Sequence, residues 1–139
     1  RNLKSLLKLN ISSNELKHLP GEIGRLSNLF MLDVSNNDLM SCTKEIGDLN
    51  NLDKLIVSHN NISTLPPSFM ELPGLHSGIE VEYNRLCELP EEMIQWLNKN
   101  ARFNKDMIGS NRCLSEYFIG QPDTGWNTKQ HCKEDAKMK

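Results

Sequence analysis

Several features that would mark an enzyme or a membrane protein are missing from this chain of 139 residues. It contains no run of about 18 apolar residues, so no segment is long enough to cross a bilayer as a helix. It has no glycine-rich phosphate-binding loop, and its four cysteines include no pair at the short spacing of structural zinc sites. Aromatic residues make up only 6% of the sequence, which leaves most of the core to aliphatic side chains. We therefore predict no membrane insertion, no metal, no cofactor and no catalytic residues.

What the chain does contain is a repeat. Four asparagines follow one another at intervals of 23, 23 and 24 residues, each at the same place in the phrase L-x-x-L-x-L-x-x-N-x-L. They are Asn14, Asn37, Asn60 and Asn84. Apolar residues two positions apart point to the same side of a strand, and one short strand cannot bury that side unless it stacks on others. The pattern predicts one short parallel strand per repeat, with each asparagine turned inward to hydrogen-bond the backbone. The strands are predicted to begin near Leu9, Leu32, Leu55 and Ile79.

A second phrase fills the rest of each repeat, as in Leu19-Pro-Gly-Glu-Ile-Gly-Arg-Leu26. Proline suits the start of a short helical turn, where its missing N–H costs no hydrogen bond. The apolar residues of this phrase are predicted to close the core on the side away from the strands. In the second repeat Cys42 takes the place of a core leucine, so we predict a buried and unreactive thiol.

Taken together, the two phrases over residues 19–39 resemble the 23-residue, typical class of leucine-rich repeats, which occur in many bacterial secreted and surface proteins and in eukaryotic signalling scaffolds. The resemblance covers residues 3 to about 97. It implies an α/β fold: a curved solenoid with a parallel sheet on its concave face, short helical or irregular turns on its convex face, and a carboxy-terminal cap. It also implies that the concave sheet binds another macromolecule. One extra residue between Leu75 and Ile79 predicts a bulge just before the fourth strand.

The repeat pattern divides the chain in two. Residues 1–97 hold about four repeats without an amino-terminal cap, and residues 98–139 are a predicted capping region with a basic tail. Because solenoids need capped ends, we expect the chain to be a mature portion or a fragment of something longer. Residues 1–97 carry 8 Lys and Arg against 13 Asp and Glu, whereas residues 98–139 carry 8 against 5. An acidic solenoid lacks the clustered positive face of a nucleic-acid-binding protein, so we predict no nucleic-acid partner.

The remaining cysteines bear on the cap. The order N-x-L-C, then Trp, then W-x-x-x-Q-x-C resembles the disulfide-closed caps that follow bacterial secreted leucine-rich repeats, which implies a bridge between Cys87 and Cys132. A Cys87–Cys113 bridge is the second possibility, and a cytosolic protein with four free thiols is the alternative to both. A bridge closing a loop of this size would contribute about 4 kcal/mol in the chain-entropy model.

The strand positions that face solvent form the candidate binding surface. Their places follow from the asparagines, and they include Ser35, Ser58 and Gly78. Tyrosine beside charged groups is typical of interface hot spots, so eight of these positions are predicted to contact a partner. The eight are Met31, Asp33, Lys54, Ile56, His59, Glu80, Glu82 and Tyr83.

The sequence therefore predicts a non-catalytic, monomeric module that binds a protein partner on its concave face, within a secreted or surface-displayed bacterial protein. Two alternatives stay open. One is an intracellular regulatory scaffold of a signalling pathway, located in the cytoplasm. The other is a targeting domain of a larger enzyme.

Overall fold

The computed structural model describes residues 3–100, apart from Gly74, Cys87 and Glu88 and the side chain of Asn98. Its sheet has four parallel strands, in chain order and each three residues long. The strands are β1 (Lys8–Asn10), β2 (Met31–Asp33), β3 (Lys54–Ile56) and β4 (Gly78–Glu80). Every strand begins one residue before the predicted position, so the prediction of one short parallel strand per repeat is confirmed.

The second half of each repeat forms a short helix. Three are 3₁₀ helices, at Gly21–Arg25, Lys44–Asp48 and Pro67–Glu71, and the fourth is an α-helix, α1, at Glu91–Asn100. Pro20 and Pro66 stand one residue before the helices, in extended conformation, and their carbonyls accept the first helical hydrogen bonds. The predicted helical turns are therefore present, and the fourth is about twice as long as the others. No helix in the described part of the chain is long and apolar enough to cross a membrane.

Neighbouring 3₁₀ helices pack so closely that glycine is required between them. A Cβ atom on Gly47 would lie 2.7 Å from the Cβ atom and 2.7 Å from the carbonyl oxygen of Ser68 in the next repeat. At Gly24 it would lie 2.5 Å from the carbonyl oxygen of Glu45. These glycines set the spacing of the repeats on the helical side of the solenoid.

The core lies between the sheet and the helices and runs through all the repeats. Leu32, Leu55 and Ile79, at the centres of three strands, are almost completely buried, and the Phe69 ring packs edge-on against Trp96 of α1 at 6.4 Å. The thiol of Cys42 is also buried, as predicted, and burial raises its pKa to about 12. In contrast, Leu9 is only partly buried, because β1 has a neighbouring strand on one side only among the described residues.

The asparagines form a ladder that joins consecutive repeats. The Asn60 amide nitrogen donates to the carbonyls of Val57 (3.0 Å) and Ser58 (3.2 Å) in its own loop and of Val34 (3.1 Å) in the preceding repeat. Its side-chain oxygen accepts the Leu39 N–H at 3.0 Å. Asn37 and Asn84 repeat this arrangement. The inward role predicted for these asparagines is confirmed.

Asn14, the first asparagine, differs from the rest of the ladder. It is exposed, and within the part of the chain that the structure describes its amide donates only to carbonyls of its own loop, at Ile11 (3.0 Å) and Ser12 (3.1 Å). The ladder therefore stabilises the inner repeats more than the first one.

The extra residue of the fourth repeat lies in a turn just before β4. In the third repeat the N–H groups of Asp53 and Lys54 both donate to the Phe30 carbonyl. In the fourth, Ser77 donates across to Asp53 (3.1 Å), but the N–H of Gly78 turns back to Leu75 (2.9 Å). Gly78 has a φ of 91°, a conformation that glycine adopts without strain. The predicted irregularity before this strand is therefore found.

Candidate functional site on the strand face

The strand register aligns equivalent side chains of the four repeats in rows. We define the strand face as four such rows on the side of the sheet away from the helices. They are Lys8, Met31, Lys54 and Gly78; Asn10, Asp33, Ile56 and Glu80; Ser12, Ser35, Ser58 and Glu82; and Ser13, Asn36, His59 and Tyr83. All eight residues predicted to contact a partner lie in these rows. His59 and Tyr83 are exposed, and the other six are half-buried.

Three positions predicted to face solvent are instead buried. Ser35 and Ser58 are only 8% and 4% exposed, and Gly78 is buried as well. The two serines have short side chains and lie in inner repeats, with a repeat on either side. Alternation along a strand predicts which way a side chain points, but it does not predict how far neighbouring repeats bury that side chain. The prediction that these three positions are exposed to solvent was therefore wrong.

The amino-terminal half of the strand face comes from the first two repeats, and several of its polar side chains hydrogen-bond one another. The side-chain oxygen of Asn10 accepts hydrogen bonds from the N–H (2.9 Å) and hydroxyl (2.7 Å) of Ser12. Oδ1 of Asp33 accepts the corresponding bonds of Ser35, at 3.0 and 2.7 Å. Oδ2 of Asp33 accepts a bond from the Asn10 amide at 3.2 Å, which links the two repeats. Both oxygens of this carboxylate are therefore occupied.

The carboxy-terminal half is arranged differently. Ile56 replaces the Asn10 and Asp33 of earlier repeats, so it cannot accept a bond from the serine two residues later. Lys54 and Glu80 form an ion pair at 2.8 Å across β3 and β4. Beyond the strands, the rings of His59 and Tyr83 stack with their centroids 4.2 Å apart and their planes 16° apart. This half thus presents an apolar residue, an ion pair and an aromatic stack.

The stacked pair belongs to a row in which every residue has a positive φ. Ser13, Asn36, His59 and Tyr83 have φ values of 56°, 54°, 54° and 54°. A left-handed conformation costs an L-residue roughly 1–2 kcal/mol, with the polar Asn and Asp best able to tolerate it. A bulky residue such as tyrosine is uncommon there. Tyr83 is nevertheless 53% exposed, so core packing does not explain its presence.

Glu82 is the unusual charged group of this surface. Its side chain is half-buried, and its Oε2 atom is shielded from solvent without a hydrogen-bond partner among residues 3–100 that the structure describes. Desolvation raises the pKa of Glu82, and the nearby Glu80 carboxylate also raises it, while a backbone hydrogen bond of Glu82 and the charges of His59 and Lys54 act in the opposite direction. A carboxylate in this state gains from any donor or cation brought to it.

The sequence reasoning located these residues but missed two of their properties. The left-handed row carries a weak signal, since Asn36 occupies the place that Tyr83 takes two repeats later. The burial of the Glu82 carboxylate left no signal, because it depends on packing between repeats. Cys87 and Cys132, the predicted disulfide partners, lie outside the described residues, as does the predicted cap beyond residue 100. The described residues contain no group of three or more His, Cys, Asp or Glu side chains that could hold a metal ion.

Comparison with known proteins agrees with the fold. One family model, described as Leucine rich repeat, matches residues 1–39, and a second, Leucine Rich Repeat, matches residues 51–72. These matches coincide with strands that pair in parallel and in chain order. This is a leucine-rich repeat solenoid.

Solved leucine-rich repeat structures are similar over most of the chain. A leucine-rich repeat protein of Leptospira interrogans has 38% identity and a TM-score of 0.58, over 68% of this chain and 24% of its own. InlP of Listeria monocytogenes has 30% identity and a TM-score of 0.55, over 68% of this chain and 26% of its own. Human trophoblast glycoprotein, at 24% identity, is similar in fold alone, with a TM-score of 0.54 over 82% of this chain and 46% of its own. The solenoid thus spans about a quarter of the two bacterial structures. No curated protein matches it.

Proposed function

We propose that this solenoid is a non-catalytic, monomeric module that binds a protein partner on its strand face, the surface that the repeat class implies to be concave. The observation that carries the proposal is the carboxy-terminal half of that face. It combines an exposed tyrosine in an unfavourable backbone conformation with a carboxylate oxygen that no described residue satisfies. Tyrosine is one of the residues enriched at the hot spots that carry most of the binding energy of protein interfaces.

A secreted or surface location in a bacterium is part of the proposal. It is supported by the identity of 38% and 30% to leucine-rich repeat structures of two bacteria, and by the cysteine arrangement after the fourth repeat. In this proposal residues 98–139 cap the solenoid, and a Cys87–Cys132 bridge holds the cap to the last repeat. The alternatives are a cytoplasmic signalling scaffold and a targeting domain of a larger enzyme.

The test of binding is a pull-down in which the wild-type protein is compared with two variants. The strand-face variant combines Tyr83→Asn with Glu80→Lys, because asparagine tolerates the positive φ at this position better than alanine does. The control is Glu22→Lys, which makes the same charge change on an exposed residue of the first 3₁₀ helix. A partner on the strand face should be retained by the wild type and the control and lost by the strand-face variant. If the control loses it equally, general electrostatics is responsible and the assignment fails.

Non-reducing peptide mapping tests the proposed location. Protein isolated without added oxidant should yield a peptide that links Cys87 to Cys132, with Cys42 unmodified. Rapid alkylation of Cys87 in the native protein would instead favour the cytoplasmic scaffold.

A further inference from the structure

We propose that the carboxy-terminal half of the strand face receives an arginine side chain of the protein partner, with the guanidinium stacked on the exposed Tyr83 ring and paired with the Glu82 carboxylate. This rests on the proposed function and names the chemistry that the partner presents.

The strand face carries three carboxylates, which differ in their partners. Asp33 accepts three hydrogen bonds from within the face, from Asn10 and Ser35. Glu80 is paired with Lys54. Glu82 alone of the three has an oxygen without a partner among the described residues. Glu82 is half-buried and has no ion-pair partner among the described residues, so its carboxylate still lacks a cation.

An aromatic ring lies next to this carboxylate. Tyr83 follows Glu82 directly in the sequence, and its ring is held at one place by the stack against His59. Holding the ring in advance lowers the conformational entropy that is lost when a ligand binds. Because about half of the Tyr83 side chain stays exposed in the stack, a second planar group has access to the ring.

A ring beside a carboxylate suits one kind of cation better than others. A guanidinium is planar, stacks on aromatic rings and donates several hydrogen bonds in one plane, so it can use the ring and the carboxylate together. A lysine ammonium is a compact and strongly hydrated charge that gains less from stacking. An anionic group is disfavoured, because Glu80 and Glu82 would repel it. Arginine is therefore the side chain that fits both groups.

The test is an NMR titration of the whole chain with three blocked tripeptides, which are acetyl-Gly-Arg-Gly-amide and its lysine and citrulline counterparts. Citrulline keeps the shape of arginine but has no charge. The arginine peptide should shift the ring signals of Tyr83 and His59 and the carboxyl carbon of Glu82 in a saturable manner. We expect binding at least about tenfold weaker for citrulline, and clearly weaker for lysine.

Two variants and a matched control complete the test. Glu82→Gln and Tyr83→Asn should each reduce binding of the arginine peptide several-fold. Glu22→Gln, which makes the same chemical change on an exposed residue outside the strand face, should leave it unchanged. Equal binding of lysine or citrulline, equal loss with Glu22→Gln, or no saturable shift at millimolar peptide would overturn the proposal. In each of these cases the proposed function still stands if the strand-face variant loses the protein partner in the pull-down and the Glu22→Lys control keeps it.

Discussion

The two halves of the strand face share one backbone and differ in what their side chains leave unsatisfied. In the first two repeats Asn10 and Asp33 form hydrogen bonds with the serines that follow them and with each other, so these polar groups are paired within the face. In the last two repeats the same places hold Ile56 and Glu80, and the rows beyond them end in Glu82 and Tyr83. The repeat provides equivalent positions, and a few substitutions at those positions replace the hydrogen bonds of the first half by an apolar residue, an ion pair and an aromatic stack in the second.

A second contrast, between inner and outer repeats, concerns stability. Each inner repeat is covered on both sides and donates and accepts ladder hydrogen bonds in both directions. The first repeat has one neighbour among the described residues and a partly exposed core. Nearest-neighbour contacts of this kind make the stability of a solenoid a sum over its interfaces. Changes in the third repeat should therefore cost more than the same changes in the first.

The largest expected effect comes from the core. Leu55→Ala removes a fully buried side chain that packs against repeats on both sides, so the free energy of unfolding should fall by about 2–5 kcal/mol. Leu9→Ala, at the equivalent but partly exposed position, should cost clearly less. Urea unfolding of both variants measures this, and equal losses would show that the first repeat is as well covered as the third.

Substitutions in the asparagine ladder should also lower the free energy of unfolding more in the third repeat than in the first, but by smaller amounts. Asn60→Ala leaves the buried N–H of Leu39 and three carbonyls without their side-chain partner, and we expect a loss of roughly 2–4 kcal/mol. Asn14→Ala removes two bonds near the surface and should cost no more than about 1 kcal/mol. Thermal unfolding of the two variants measures this. A larger loss of stability for Asn14→Ala than for Asn60→Ala would contradict the ladder.

Much of this architecture could be predicted from the sequence, for a physical reason. A strand of three residues with one buried side has few alternatives once it repeats every 23 residues, so Leu9, Leu32 and Leu55 determine the sheet directly. The inward asparagines and the buried Cys42 follow from the same register. The candidate binding surface was predictable only as a set of positions. The hydrogen bond from Asn10 to Asp33 and the shielding of Glu82 Oε2, which has no partner among the described residues, depend on contacts between repeats. The burial of Ser58 likewise depends on the neighbouring repeats.

A smaller effect is expected at Tyr83, where two contributions oppose each other. Tyr83→Asn loses a ring stack worth about 0.5–1.5 kcal/mol but relieves a left-handed tyrosine, so the stability should stay within about 1 kcal/mol of the wild type. Tyr83→Ala loses the stack and keeps the strain, so it should be the less stable of the two. Urea unfolding of both variants tests this. The reverse order would show that backbone strain at this position is negligible.

The smallest expected effect concerns pH. Burial raises the pKa of Glu82, so its charged form is disfavoured in the folded protein at neutral pH. Glu82→Gln should therefore raise the stability slightly at pH 7, by a few tenths of a kcal/mol because solvent screens a half-exposed group. The difference should disappear as the pH falls through the folded pKa of Glu82, where the wild-type side chain also becomes neutral.

A matched change in the amino-terminal half sharpens that result. Asp33→Asn removes an acceptor that Asn10 and Ser35 use, so it should not stabilise the protein at neutral pH. Unfolding measured between pH 4 and pH 8 distinguishes the two variants. A higher stability of Asp33→Asn than of the wild type at neutral pH, or a lower stability of Glu82→Gln, would contradict the conclusion that Asp33 is paired within the face and that burial disfavours the charge of Glu82.

The most direct test of the difference between the two halves is the affinity of the partner retained in the pull-down for two matched double variants. Tyr83→Asn with Glu82→Gln changes the carboxy-terminal half. Asn36→Gly with Asp33→Asn changes the residue in the same row as Tyr83 and removes the same charge in the amino-terminal half. We predict a loss of at least about tenfold in affinity, or about 1.4 kcal/mol, for the first pair and less than about twofold for the second, as measured by biolayer interferometry. Equal losses for the two pairs, or a larger loss for the amino-terminal pair, would contradict the claim that the carboxy-terminal half of the strand face binds the partner.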